Sequence, residues 1–471
     1  MVPVEAKQAQ EVAVVMVPFP AQGHLNQLLH LSLLLSTRGL TVHYAASPSH
    51  IRQAKSRLQG WQPASLHAIH FHDLPIPPFS TPPPDPNAAT TFPSHLQPLW
   101  VSTLHLRSPL VSLLRSLSAV SRRLVVIYDP LVSFAAQETA TLPNAEVYAF
   151  NSVSAFFHLS FRWSFQDESA LPKPKHLETI LNQSFDDCFT NEFLEFATMN
   201  RVLQDSVVAE GSLINTCRPI EGELVDLLAE DSFYSGKKKL FAIGPFNPVT
   251  TPQGDSGRRH ACLEWLDKQP PASVVYVSFG TASTMPDEQI NELAIGLRRS
   301  GQRFIWVLRD ADVGDIYAEC VESRERKLSP DYEREVEGVG MVVRGWAPQL
   351  EILAHPATGG FISHCGWNSC MESLSMGVPI MAWPMHSDQP GNTVLVTEYL
   401  KVGVVAREWD RRKEILPAGE IEESIKRVMV SEEGQEIRRR AKALGNAVRE
   451  AASEGGSSRA ELDSFVAHVT R

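Results

Sequence analysis

Cysteine is the first shortage: six in 471 residues, with no C-x-x-C pair among them. Cys188, Cys217, Cys262, Cys320, Cys365 and Cys370 offer neither the spacing of a structural zinc site nor the density of a disulfide scaffold. Long apolar runs are missing as well. No stretch reaches 18 apolar residues, so nothing reads as a membrane span. The opening MVPVEAKQAQ is polar and has no signal-peptide core, which makes a reduced, cytoplasmic protein the expectation. Positive charge is scarce too: 43 Lys and Arg stand against 54 Asp and Glu, for a net charge of −11. The densest basic cluster, Lys237, Lys238 and Lys239, reads as a solvated turn, so a nucleic-acid partner is not expected. There is no G-x-x-x-x-G-K-[ST] and no G-x-G-x-x-G after a strand, which argues against a P-loop and against NAD.

What is present is an alternation. VAVVMVPFP (12–20) is apolar on both faces, as a buried parallel strand must be. In the next stretch Leu25, Leu28, Leu29, Leu31, Leu34 and Leu35 recur at helical spacing, Gly39 stops the helix, and TVHYAA (41–46) reads as a second strand. Further strands are expected at 123–129, 146–150 and 211–216. The proline-dense LPIPPFSTPPPDP (74–86) lacks the amide donors a helix or central strand needs and must be a long loop. After the Pro- and Gly-rich 243–259, ASVVYVSFG (272–280) opens the pattern again, with strands at 304–308, 340–343, 359–364 and 379–383. The class is α/β: two doubly wound, Rossmann-like domains facing a cleft, with ligands at the carboxyl ends of the strands. The expected division is a first domain over 1–245, a linker over 246–259, a second domain over 260–454, and a terminal helix over 455–471 that packs back on the first domain.

HCGWNSCMESLSMG (364–377) sits where such a ligand would bind. Gly366 permits a tight turn, Asn368 or Ser369 can cap the helix that follows, and Gly377 ends it. A helix start after a parallel strand is a ready anion seat; an ordinary capped helix is the lesser alternative for this stretch alone. Cys365 as a nucleophile is the weakest reading, because buried thiols usually only pack.

The longer segment WAPQLEILAHPATGGFISHCGWNSCMESLSMGVPIMAWPMHSDQ, from Trp346 to Gln389, closely resembles the signature box of plant family 1 UDP-sugar glycosyltransferases. That resemblance implies a GT-B arrangement of two Rossmann-like lobes and a UDP-sugar, UDP-glucose first, as donor substrate, with no cofactor and no metal. It implies that Trp346 stacks on uracil, that the Ala347 backbone pairs with the base edge, and that Gln349 and Glu372 hold the ribose. His364, Asn368 and Ser369 would seat the pyrophosphate beside Gly366; Trp367, Asp388 and Gln389 would meet the sugar. SFGTAST adds Ser278, Gly280 and Thr281 at the end of another strand, Thr281 standing where the family usually has serine.

PFPAQGHLNQ places His24 at the end of the first strand, and VVIYDP places Asp129 at the end of another. An imidazole titrating near neutrality can take a hydroxyl proton, and a carboxylate can orient its other nitrogen. Within the family resemblance this is the catalytic pair; many members have proline where Asn26 stands. Asp310-Ala311-Asp312 has the spacing of a metal-binding acidic pair but reads as solvated carboxylates. The N-terminal half, including VHYAASPSHIRQAK and IHFHDLPIPPF, resembles the zeatin O-glucosyltransferase subgroup. The implied acceptor is the side-chain hydroxyl of a cytokinin, held by an apolar pocket for which Phe19, Phe79, Phe156 and Phe157 are candidates. Glucose and xylose remain alternative donor sugars, and phenolics or flavonoids alternative acceptors. A monomer is expected. A non-catalytic sugar-nucleotide binder would lack the His24–Asp129 pair, and an epimerase or hydrolase would add no mass to an acceptor.

Overall fold

A computed structural model of the protein describes residues 10–165, 174–230, 238–250, 259–317, 328 and 330–471. Cys320, Lys237 and the linker stretch 251–258 lie outside the described residues. Seven parallel strands form the first sheet: β1 (Gln10–Val17), β2 (Thr41–Ala46), β3 (Ile69–Asp73), β4 (Ser121–Tyr128), β5 (Ala145–Asn151), β6 (Gly211–Ile214) and β7 (Lys239–Ala242), in the order β3-β2-β1-β4-β5-β6-β7. Six form the second: β8 (Val274–Ser278), β9 (Arg303–Val307), β10 (Gly340–Val343), β11 (Thr358–Ser363), β12 (Ile380–Ala382) and β13 (Gly403–Val405), in the order β10-β9-β8-β11-β12-β13. Helices link successive strands, as parallel pairing requires.

The apolar runs follow from coverage on both faces. Along β1, Val12, Val14 and Met16 enter one core while Ala13, Val15 and Val17 enter another. β8 divides likewise, with Val275 and Val277 on one side and Val274 and Tyr276 on the other. Each sheet is wound outward from one strand and then back across it, so the strand order reverses between β1 and β4 and between β8 and β11. These are the two switch points where an open α/β sheet leaves a crevice.

The lobes share a core. Ile214, Ile220 and Leu224 from the first pack with Trp367, Met371 and Leu374 from the second. The last helix, Ser457–Thr470, lies against the first sheet and sets Phe465 edge-on to Tyr148 and Phe241, with ring centroids 5.4 and 5.1 Å apart. Three strands are absent from the sequence expectation: β3, β7 and β13. Each is an outermost strand of its sheet. Lys239, expected in a solvated turn, opens β7. Phe246, expected in the linker, is buried beside Phe150 in the first lobe's core, and its N–H donates to Asn215 Oδ1 at 3.1 Å. The first lobe therefore extends past residue 245, because an apolar ring at that point is better buried than exposed.

Candidate active site

The first crevice brings two side chains together. β1 and β4 are neighbours in register, Val17 opposite Tyr128, and the Asp129 N–H bonds the Val17 carbonyl at 3.0 Å. His24, in the first turn of the helix Gln22–Ser36, and Asp129, one residue beyond β4, therefore emerge side by side. His24 Nδ1 lies 2.6 Å from Asp129 Oδ2. Asp129 is 1% exposed, and its Oδ1 accepts the Leu131 N–H at 2.9 Å, which fixes the carboxylate plane. The Ser152 hydroxyl, at the end of β5, is 3.1 Å from the same Nδ1. Burial pulls the imidazole pKa down, but the charge and hydrogen bond of Asp129, with the more distant charge of Asp388, outweigh it and leave His24 above its ordinary 6.5. This is a base that charges readily when it takes a proton.

The second crevice lies between β8 and β11, where Ser363 is in register with Ser278. Ser278, Gly280 and Thr281 leave one strand; His364 and Gly366 leave the other. Two glycines are needed here by close approach. A Cβ on Gly280, whose φ is +77°, would sit 2.6 Å from His364 Nε2, and one on Gly366 would sit 2.5 Å from it. Burial drives His364 down to a pKa of about 4, so at neutral pH it is a neutral hydrogen-bonding ring and not a cation. The helix Trp367–Met376 is capped at Gly366 with no side-chain cap. Asn368 and Ser369, expected as caps, are engaged otherwise: Asn368 Nδ2 donates to the Gly23 carbonyl at 2.9 Å, and Ser369 Oγ accepts from Gln349 Nε2 at 2.9 Å. The first-turn amides are thus left to point into the crevice, the arrangement that binds phosphate.

Asn368 spans the gap between the lobes and ends one residue before His24. The two crevices form one cavity of about 300 Å³, lined by His24 together with Ser278, Gly280, Thr281, Trp346, Ala347, Gln349, His364, Gly366, Trp367, Asn368, Ser369, Glu372, Asp388 and Gln389. Gln349 Nε2 also donates to Glu372 Oε2 at 2.8 Å, while Tyr276, absent from the sequence reading, donates its hydroxyl to Gln349 Oε1 at 3.3 Å. Burial lifts Glu372 to about 7 against the pull of that amide. Asp388 is raised to about 6 by burial, opposed by Asn392 and by the charge of His24. Gln389 Oε1 accepts the Met385 and His386 N–H groups at 2.8 and 3.0 Å, and its Nε2 lies 3.4 and 3.5 Å from Nδ1 and Nε2 of the His386 ring, which anchors the side chain at the cavity wall. The Trp367 indole N–H donates to the Asn215 carbonyl at 2.8 Å, so it offers the cavity ring surface only.

Residues 10–248 match the family model described as "Glycosyltransferase, N-terminal domain", and 257–430 match "UDP-glucoronosyl and UDP-glucosyl transferase". A cis-zeatin O-glucosyltransferase of Zea mays is 48% identical over 98% of this chain and 99% of its own. The chain belongs to the UDP-sugar glycosyltransferases. A zeatin O-glucosyltransferase of Phaseolus lunatus is 48% identical, and a zeatin O-xylosyltransferase of Phaseolus vulgaris 46%, each over 98% of this chain and over 97% and 98% of their own. A UDP-glucosyltransferase from Polygonum tinctorium capable of glucosylating indoxyl superposes with a TM-score of 0.77 at 28% identity, covering 98% of this chain and 99% of its own.

The glycosyltransferase's apolar wall differs from the sequence expectation. Phe19 lines the cavity, but Phe156 is buried in the core between the lobes, Phe157 packs on Phe161, and Phe79 fills the space beside Gly314. The wall comes instead from Phe92, Leu96, Leu99, Trp100 and Phe193. Trp100 and Phe193 meet edge to face at 5.1 Å, and Phe92 leans on both. The proline loop delivers Phe92, and its Thr91 hydroxyl bonds the Met385 carbonyl of the other lobe. Asp312 of the acidic pair is not solvated: it is 9% exposed and pairs with Arg57 and Arg309, because the lobe interface covers it. Among the described residues no group of three or more His, Cys, Asp and Glu is placed to hold a metal ion, and no helix is long and apolar enough to cross a membrane.

Proposed function

We propose that this enzyme transfers glucose from UDP-glucose to the side-chain hydroxyl of a zeatin-type cytokinin, with inversion, as a cytoplasmic monomer. The observation that carries the reading is the His24–Asp129 pair, 2.6 Å apart, opening on the same cavity as the His364–Ser369 turn. In this reading Trp346, Ala347, Gln349 and Glu372 hold uridine, and Ser278, Gly280, Thr281, His364 and the amides at the start of the helix Trp367–Met376 hold the diphosphate. Trp367, Asp388 and Gln389 hold the sugar. The acceptor ring lies against Phe92, Trp100 and Phe193, which suits a flat, purine-sized group.

His24 Nε2 takes the acceptor hydroxyl proton as the oxygen forms its bond to the anomeric carbon. The bond from that carbon to UDP breaks on the opposite face, and its electron pair stays on the terminal phosphate oxygen. Asp129 stabilises the imidazolium, and the helix-start amides with neutral His364 donate to the departing diphosphate. One displacement converts an α-linked donor into a β-O-glucoside. Lobe closure aligns the reactants and excludes water, which would otherwise accept the sugar.

The acceptor follows the relatives' names together with the aromatic wall. The xylosyl relative makes UDP-xylose the second donor to try. The test is mass spectrometry of products from cytokinins and phenolics, each with UDP-glucose or UDP-xylose. A hexose added to zeatin is expected. Preference for phenolics would overturn the acceptor, pentose addition would overturn the donor, and UDP release without a heavier acceptor would overturn transfer.

A further inference from the structure

The uridine end of the cavity is also walled by the first lobe. Arg57 follows the helix Pro48–Ser56, and its guanidinium lies over the Trp346 ring, 4.6 Å from the centroid. It is not loose. Nη1 and Nη2 donate to Asp312 Oδ2 and Oδ1 at 2.5 and 2.9 Å, and Nη1 also reaches Gln22 Oε1 at 3.1 Å. Arg57 is 8% exposed and Asp312 9%. Two residues on, Gln59 grips the same segment of the second lobe: Nε2 donates to the Ala347 carbonyl at 3.2 Å and Oε1 accepts the Leu350 N–H at 2.9 Å.

We infer that Arg57 is a positioning residue for the donor: anchored by Asp312 across the lobe interface, it backs one face of Trp346 and fixes the indole plane on which the base stacks. The inference rests on the reading that Trp346 holds uracil. A guanidinium bound this way acts as a wall. Displacing it would leave buried Asp312 with Arg309 alone, so the base takes the free indole face, beside Ala347 and Gln349. Because Arg57 belongs to one lobe and both Asp312 and Trp346 to the other, the complete platform exists only when the lobes are docked. Donor affinity is thereby coupled to closure.

The test is a double-mutant cycle on the full chain with UDP-glucose and UDP. Arg57→Met should raise the donor KM and weaken UDP binding, followed by tryptophan fluorescence, by about fivefold, the worth of one partly desolvated cation–π contact. The kcat and the acceptor KM should stay within about twofold. In a Trp346→Ala background the same change should add nothing. Arg57→Lys, which keeps charge without the two-pronged anchor, should recover part of the loss. Asp312→Asn should shift the donor KM in the same direction, and these two variants carry the test if Arg57→Met does not fold. An unchanged donor KM in Arg57→Met, or an undiminished fivefold effect without the indole, overturns the inference. If Trp346→Ala itself leaves UDP binding intact, it is the assignment of the base platform that fails.

Discussion

Replacing Asp129 with Asn changes one atom and should nearly abolish turnover. The reason lies in the oxygen that does not touch His24. Asp129 Oδ1 accepts the Leu131 N–H at 2.9 Å, so an asparagine must keep its carbonyl there and turn its NH2 toward His24 Nδ1. That NH2 can only donate. It holds Nδ1 unprotonated and places the ring proton on Nε2, the atom that must receive the acceptor's proton. The charge that stabilises the imidazolium is lost as well. Together these should lower kcat by on the order of 10³-fold to 10⁴-fold. Asp129→Ala loses the charge too, but the Ser152 hydroxyl, 3.1 Å from Nδ1, can still accept from it and preserve the useful tautomer. Alanine should therefore be less harmful than asparagine, by about tenfold. The assay is UDP release with zeatin and UDP-glucose across pH. In the wild type activity rises as His24 loses its proton, with a midpoint above 6.5 because its folded pKa is raised. Without the Asp129 charge the pKa falls, so the midpoint of Asp129→Ala moves acidward while its plateau drops. An asparagine variant as active as alanine, or an alanine midpoint that moves upward, would refute the reasoning.

Other outcomes follow from the same geometry. His24→Ala should remove transfer while leaving UDP affinity within about twofold, checked by fluorescence titration, because the ring acts on the acceptor proton and not on the nucleotide. Gly366→Ala puts a Cβ 2.5 Å from His364 Nε2 and should raise the UDP-glucose KM by roughly fivefold to a hundredfold, the equivalent of about 1–3 kcal/mol of overpacking, with the acceptor KM unchanged in steady-state kinetics. Trp100→Ala should raise the acceptor KM and leave the donor KM alone, which initial rates at varied zeatin will read. Phe465→Ala, far from the cavity, should cost about 3–5 kcal/mol of stability by urea denaturation with little change in kcat, since it empties the seat between Tyr148 and Phe241.

Central strands were legible because both of their faces are covered, which forces continuous apolar runs such as VAVVMV. Of the four outermost strands, β10 was legible from GMVV, while β3, β7 and β13 were not. β3 reads IHFHD, and with a neighbour on one side only it needs no such run. The turn at 364–369 was legible because its parts are local: a strand end, a glycine turn and a helix start lie within a few residues. The aromatic wall was not, since Phe92 comes from the loop after the prolines, Trp100 from the short helix Gln97–Ser102 and Phe193 from the distant helix Asn191–Asp205, whose meeting leaves no spacing in the chain. Asn368 looked like a helix cap because Asn caps helices often; its actual partner, the Gly23 carbonyl, lies on the other lobe. Asp312 looked solvated for the same reason: only docking of the lobes brings Arg57 to it.

The amino-acid order by itself determined two α/β units, a glycine turn between a strand end and a helix start, and a histidine and an aspartate each at a strand end, because each depends on periodicity or on local residue order. Only the tertiary structure decided that both crevices open on one cavity, that Ser152 shares His24 with Asp129, and that Arg57 stands behind Trp346. Those contacts join residues more than a hundred positions apart. They are set by the strand order at the switch points and by the apolar surface shared between the lobes, neither of which local sequence periodicity records.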